Sequence, residues 1–599
     1  KKVDLARSHL SLVTVQFTEP FMLQSTGASR STYSTALLLC LCLVAQVAAK
    51  GFLNVVDHNT SGVSRQDLEI ALEHVLGCGG EISSSRLLKI EQSILPVWKV
   101  LPKNREGNVG WRSLRYVAHR FFMQQSNLLV RGFEPMRRVN ESELGMADIL
   151  EDRLPSVTNF AEEMGEEKYG LRDAVMLVAS IEQLIFDNES ALLEKAYQRA
   201  QRYFARISSA RIPFERLARV LETYMIHWMM GSDHESVGLL LGNESLLFSE
   251  FPHWRELKAY VRGEIRAMDF ERLHSPADHL QEVFQQGYTF ADAHEVVGAI
   301  TKNFAPFWES ECQAIKSSLV ALDTAGTGRV RLGDFYGASI DGEWRFGESE
   351  AYLRDMGVLD ETSTWRGKQV IIPNYIQAAS NCIVNTDAYL VCCRNDCEDI
   401  MRDIEIAVQS PTASPEFILE LVGNMTAHAG EDDGPVEISS TLREQLLNVA
   451  RHHDGMVPVH GRLFAQWLHY VFPRDCAFPH KVGAVSGQTP SEFGEQALAT
   501  ITEMKGHAEI EGVRSEGAML KEEDYRATQW SQEEEFIVDY KMHAPWERTS
   551  GRSMNIVIVL LLVALVAVHL LSGKWRSQKG TSSLSSELPY ATCMKAHMV

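Results

Sequence analysis

Residues 323–334 read Asp-Thr-Ala-Gly-Thr-Gly-Arg-Val-Arg-Leu-Gly-Asp, with Phe335 following and the amphipathic stretch Ala291–Leu322 ahead of them. The spacing is that of a twelve-residue calcium loop between two helices, with Asp323 at position 1, Gly328 at the sharp turn of position 6, Val330 at the apolar position 8 and Asp334 at position 12. The ligand set is thin. Position 3 is Ala325, which offers no side-chain oxygen, position 5 is Thr327, and Arg329 at position 7 brings only its backbone carbonyl. Asp334 is shorter than the bidentate Glu usual at the closing position. Charge weighs further against a tight site, because Arg329 and Arg331 neutralise Asp323 and Asp334. A divalent cation needs several carboxylates to offset its lost hydration. The loop predicts a helix-loop-helix scaffold with millimolar calcium binding at best, and no other cofactor is indicated.

Looser copies of the same EF-hand-like frame lie on either side. Asp57–Gly62 has oxygens at positions 1, 3 and 5 but a second half one residue short. Pro102–Ser113 keeps Gly107, Val109 and Leu114 without end carboxylates, and is spaced to pair with the 57 frame. Asp454-Gly455 with Val457 or Val459 is the expected partner of the 323 loop. Apolar residues at three- and four-residue spacing predict helices over Gln66–Leu76, Ser85–Leu101, Trp111–Gln125, Leu171–Phe186, Glu189–Ile207, Pro213–Met230 and Ala291–Leu322, with turns near Asn188 and at Ser208–Pro213. Gln369–Cys397, rich in β-branched residues and turn formers, is expected to hold a short hairpin. The fold class is therefore mainly α: a helical ectodomain with EF-hand-like helix-loop-helix units, plus one transmembrane helix.

That helix is read from Met554–Leu571 (MNIVIVLLLVALVAVHLL), whose only polar side chains are Asn555 and His569. Eighteen residues span roughly 27 Å, near the hydrocarbon thickness of a thin bilayer, and Lys574, Trp575, Arg576 and Lys579 follow as a cytoplasmic collar. Ala36–Val47 is too short to span and ends on small residues, which is the pattern of a secretory signal cleaved before Lys50. The resulting division is a leader and signal over 1–49, an EF-hand-like helical pair over 50–130 and a helical domain over 131–320. An EF-hand-like, Cys-rich domain follows over 321–481, then an acidic solvated stalk over 482–553, the span at 554–571 and a cytosolic tail over 572–599. The expectation is a single-pass membrane protein with its ectodomain extracellular or luminal. A formal charge of −21 argues against nucleic acid as a partner, leaving the membrane and unidentified proteins.

In an oxidising compartment, Cys382, Cys392, Cys393, Cys397 and Cys476 are disulfide candidates for one or two bridges. Adjacent Cys392 and Cys393 cannot easily bridge each other, so their partners should lie elsewhere. Of the ten cysteines, Cys40 and Cys42 fall in the expected signal and Cys593 in the tail, so Cys78 and Cys312 bring the expected ectodomain to seven, an odd count. Glycosylation sequons occur at Asn59, Asn140, Asn188, Asn243 and Asn424, all inside the expected ectodomain. Arg112, Arg115 and Arg120 with Tyr116 and His119 form a basic, aromatic helix face, read as solvated by default.

His452, His453, His460, His469 and His480, with Asp454, Asp475 and Cys476, are dense enough to consider a copper or zinc site. No pair has the His-x3-His spacing that puts two ligands on one helical face, and no HExxH, Walker loop, GxSxG or strand-following GxGxxG is present.

The segments LPKNREGNVGWRSLRYVAHRFFMQ (101–124), GTGRVRLGDFY (326–336), EAYLRDMGVLDE (350–361), VIIPNYIQAASNC (370–382), CCRNDCEDI (392–400) and VPVHGRLFAQWLHYVFPRDCAFPH (457–480) resemble a family of uncharacterised proteins from dinoflagellate algae. The resemblance covers roughly residues 51 to 480. It implies a signal, a helical ectodomain, a degenerate EF-hand loop and sometimes a terminal membrane helix, and it implies no activity. The reading is a non-enzymatic structural or interaction protein with weak or vestigial calcium binding. Its alternatives are a luminal calcium sensor or buffer, and a metal-dependent luminal enzyme using the histidines of 452–480.

Overall fold

Three- and four-residue apolar spacing becomes long helices in the first half of the chain: α1 (Ser84–Val100), α2 (Trp111–Ser126), α3 (Asp148–Arg153), α4 (Leu171–Tyr203), α5 (Phe214–Met230), α6 (His234–Gly242), α7 (Glu244–Glu250), α8 (Trp254–His274) and α9 (Phe290–Leu322), with β1 (Leu128–Val130) after α2. The computed structural model describes residues 84–134, 147–153, 169–203, 211–231, 234–251, 253–274, 287–341, 346–362, 367–426, 436–514, 529–538 and 540. Thr289 starts α9 with a capping box, its hydroxyl accepting from Asp292 N–H while the Asp292 carboxylate accepts from Thr289 N–H. Phe121, Ile181, Trp228, Ile265 and Phe304 from α2, α4, α5, α8 and α9 meet in one buried core.

The second half of the described residues has no helix as long as α2: β2 (Arg329–Arg331), α10 (Leu332–Asp341), α11 (Glu350–Asp355), β3 (Leu359–Asp360), β4 (Gln369–Ile371), α12 (Ile372–Ile376), β5 (Val384–Asn385), β6 (Tyr389–Val391), α13 (Cys397–Val408), β7 (Thr412–Ala413), α14 (Pro415–Gly423), α15 (Ser440–His452), β8 (Val457–Pro458), α16 (Arg462–Val471), α17 (Pro490–Phe493) and α18 (Ile501–Arg514). The described residues are mainly α. The expected hairpin is β5–β6, with Val384 opposite Val391, and β6 also pairs with β1.

Two helix-loop-strand-helix pairs organise this half. β2, within the 323 loop, pairs antiparallel with β4, Val330 opposite Val370, over a core containing Leu319, Phe335, Tyr352 and Tyr375. β7 pairs antiparallel with β8, Ala413 opposite Val457, over a core containing Ile404, Ile418, Leu446 and Trp467. The 454 frame is therefore not the partner of the 323 loop. Its true partner, Gln409–Ser414, carries none of the frame residues, so the pairing had no signal in sequence.

Other expectations change as well. α4 runs unbroken through Asn188, because Glu189 turns inward to a buried polar contact with Thr301 and Tyr389. The 102 frame sends Val109 to an antiparallel bridge with Tyr169, while the 57 frame lies outside the described residues. The stretch expected as a solvated stalk buries Ala497, Met504, Val538 and Tyr540 against the helical cores.

The single-pass membrane reading is corrected. Among the described residues no helix is long and apolar enough to cross a membrane. The run 554–571 on which that reading rested lies outside them, as do the 36–49 signal, Cys78 and the sequons Asn59 and Asn140.

Candidate functional site

Asp323 ends α9, and its side chain turns back into the loop rather than out to solvent, leaving it 3% exposed. One carboxylate oxygen accepts from Thr327 N–H at 3.0 Å and the other from Gly328 N–H at 2.8 Å. Arg474 completes the shell, donating from Nε to Asp323 Oδ2 at 3.0 Å and from Nη2 to the Asp323 carbonyl at 3.0 Å. A guanidinium thus lies on the carboxylate at position 1. Gly328 has φ +69°, and a Cβ there would fall 1.8 Å from the Pro473 carbonyl oxygen. Glycine is required twice over, by the turn and by the chain that carries Arg474.

The remaining loop charges are also spoken for. Arg329, buried, donates from Nε to Asp360 Oδ2 at 2.9 Å and from Nη1 to the Thr327 carbonyl at 3.2 Å. Arg331 Nε donates to Asp334 Oδ2 at 2.7 Å, so the position 12 carboxylate faces its own arginine at a half-exposed site. Thr327 Oγ1 lies 3.4 Å from Asp323 Oδ1.

Pro473–Cys476 acts as a strap with a tether at each residue. Pro473 abuts Gly328, Arg474 holds Asp323, Asp475 accepts from buried Lys316 at 2.7 Å, and Cys476 is bonded to Cys397. Lys316 also donates to Asp396 at 2.6 Å. Burial alone would lower the proton affinity of the Lys316 ammonium, but Asp475 and Asp396 outweigh it and hold its pKa above the ordinary value.

Three disulfides join Cys312 to Cys393, Cys382 to Cys392 and Cys397 to Cys476. Adjacent Cys392 and Cys393 do bridge elsewhere. Cys312, one helical turn before Lys316 on α9, is the partner the sequence cluster did not single out.

The histidines of 452–480 do not converge. His453 Nε2 lies 2.9 Å from Glu534, His460 Nε2 3.0 Å from Glu405, His469 Nδ1 2.7 Å from the Cys476 carbonyl, and His480 Nε2 2.6 Å from the Gly357 carbonyl. His452 returns to the Asn448 carbonyl of its own helix. Among the described residues no group of three or more His, Cys, Asp or Glu is arranged to hold a metal ion.

The basic face of α2 is solvated only at its start, where Arg112 is exposed and Arg115 half-buried. Tyr116, His119 and Arg120 are all buried, and Arg120 is paired with Glu405 on α13. Of the described sequons, Asn188 lies within α4, Asn243 caps α7 by accepting from Leu246 N–H, and Asn424 follows α14 with its amide donating to the Glu420 carbonyl.

Arg474, Lys316 and Asp360 carry much of this site and were not found from sequence, because each acts on a partner far away in the chain. Comparison with family models, with curated proteins and with solved structures finds no match for the chain.

Proposed function

We propose that the protein is a non-enzymatic interaction scaffold of EF-hand-like helix-loop-helix pairs, whose 323 loop is closed by an arginine in place of calcium. The observation that carries this reading is Arg474 on the buried Asp323 carboxylate. A guanidinium is a permanent cation with donors matched to carboxylate geometry, so it supplies the charge a metal would bring. Calcium entering this loop would have to expel Arg474 and break the two backbone hydrogen bonds to Asp323, with Ala325 offering nothing in return. The antiparallel contact of Val330 with Val370 and the apolar cores beneath supply the packing that a metal otherwise organises.

Calorimetry of the full chain with calcium tests this. The expected result is no saturable heat at micromolar calcium and the same melting temperature in calcium and in chelator. Arg474→Ala should destabilise the chain by about 1–3 kcal/mol, the usual range for stranding a buried polar group, without creating tight calcium binding. Micromolar binding that disappears in Asp323→Ala would overturn the reading.

A further inference from the structure

Residues 529–538 (QWSQEEEFIV) lie along α16 and the turn before it in the manner of a bound peptide, with Tyr540 beyond them. Main chain meets main chain first: Arg462 N–H donates to the Glu535 carbonyl at 2.9 Å, Ile537 N–H to the His460 carbonyl at 3.2 Å, and Gly461 bridges Phe536 antiparallel. Gln466, fully buried, reads one residue of the segment from both sides, accepting from Ser531 N–H at 3.2 Å and donating to its carbonyl at 3.2 Å. Arg462, 4% exposed, donates to Ser531 Oγ at 2.9 Å and to the Glu533 carbonyl.

The acidic side chains are read as well. The Glu534 carboxylate accepts from Leu463 N–H at 3.1 Å and lies 2.9 Å from His453 Nε2. Gly461 leaves room for it, since a Cβ there would come within 3.1 Å of Glu534 Oε2. Glu535 accepts from Val482 N–H at 3.0 Å, and Lys481 pairs with Glu533.

We propose that this groove is a recognition site for acidic peptides carrying a Glu-Glu-Glu-aromatic sequence, filled in cis by residues 529–538. Arg462 and Gln466 are the reason. Both are buried and spend hydrogen bonds on the segment, and a buried donor or acceptor left unmade is destabilising. The groove therefore favours an occupant that repeats the same main-chain and carboxylate pattern, combining strand addition with capture of a carboxylate. A partner of this chemistry deepens the scaffold reading, and peptide binding is measured without calcium, so either result can fail alone.

Fluorescence anisotropy of a labelled 529–540 peptide against the full chain provides the test. The covalently tethered segment competes at high effective concentration, so the wild-type chain should bind weakly. The Glu534→Lys chain should bind the wild-type peptide at least about tenfold more tightly, once its own segment is weakened. A peptide carrying Lys at that position should bind neither chain, and Gly461→Val should weaken binding. Should Glu534→Lys fail to fold by circular dichroism, Glu534→Gln, which keeps the volume, supports the same comparison. A folded variant that binds the peptide no better than the wild type overturns the proposal and makes the segment a permanent part of the fold.

Discussion

Arg120 on α2 and Glu405 on α13 form a buried ion pair, joining residues 285 apart in sequence through hydrogen bonds of 2.9 and 3.3 Å. Arg120 is shared further, donating to Tyr116 OH at 2.7 Å and pairing with Glu398, while His460 Nε2 lies 3.0 Å from Glu405. Burial alone would raise the Glu405 carboxyl's pKa, but Arg120 and His460 outweigh it and hold it below the ordinary value. The pair therefore locks the long-helix core to the second helix-loop-helix pair.

Breaking such a pair from one side strands a buried charge. Arg120→Met should destabilise the chain by roughly 3–5 kcal/mol, and by more than Glu405→Gln, since Arg120 serves two carboxylates. The double variant Arg120→Met with Glu405→Leu should recover part of the loss, because an apolar pair needs no desolvation offset. Urea unfolding of the three variants decides it; a loss under about 1 kcal/mol in Arg120→Met would mean solvent reaches the pair.

The disulfides predict a second measurement. Peptide mapping without reduction should recover Cys312 with Cys393, Cys382 with Cys392 and Cys397 with Cys476. Replacing Cys397 and Cys476 together by Ser should destabilise the chain by about 2–4 kcal/mol and loosen Arg474 from Asp323, since the strap loses its covalent anchor. Faster amide exchange at Thr327 and Gly328, whose N–H groups point at Asp323, would report that loosening. Unchanged exchange would show that Pro473 and Arg474 hold the loop unaided.

What the sequence discloses here is local, and what it hides is long-range. The spacing from Asp323 to Asp334 places a loop between two helices, and the adjacency of Cys392 and Cys393 sends each to a separate partner. Nothing near Asp323 announces Arg474, 151 residues away. Glu533–Glu535 read as a solvated run because charge is a local property, yet Leu463 and Val482 N–H groups and His453 take up two of their carboxylates. The histidines look like a metal set only along the chain. In space each is taken by a different partner, which removes the shared point a metal would occupy.

Glu189 supplies one pH dependence, which it shares with Glu348, whose carboxyl burial also pushes up to about 7. It lies mid-way along α4, 1% exposed, and Oε1 accepts from Thr301 Oγ1 at 2.6 Å and Tyr389 OH at 2.8 Å. Trp228 Nε1 in turn donates to Tyr389 OH at 2.7 Å. Burial pushes the carboxyl from 4.5 up to about 7, although the bonds from Thr301 and Tyr389 pull the other way. In the unfolded chain the group ionises near its ordinary value, whereas in the folded chain it keeps its proton until near pH 7. The folded state binds the extra proton across that window, so this contribution to stability is full below the unfolded value and is lost as pH rises through the folded one. The loss amounts to roughly 3 kcal/mol, at about 1.4 kcal/mol per tenfold change in proton affinity. Glu189→Gln keeps an oxygen for both donors and cannot ionise, so its urea midpoint should change less between pH 5 and pH 8 than the wild type's, with the wild type losing stability toward pH 8. An identical pH response in both proteins would place the titration elsewhere in the core.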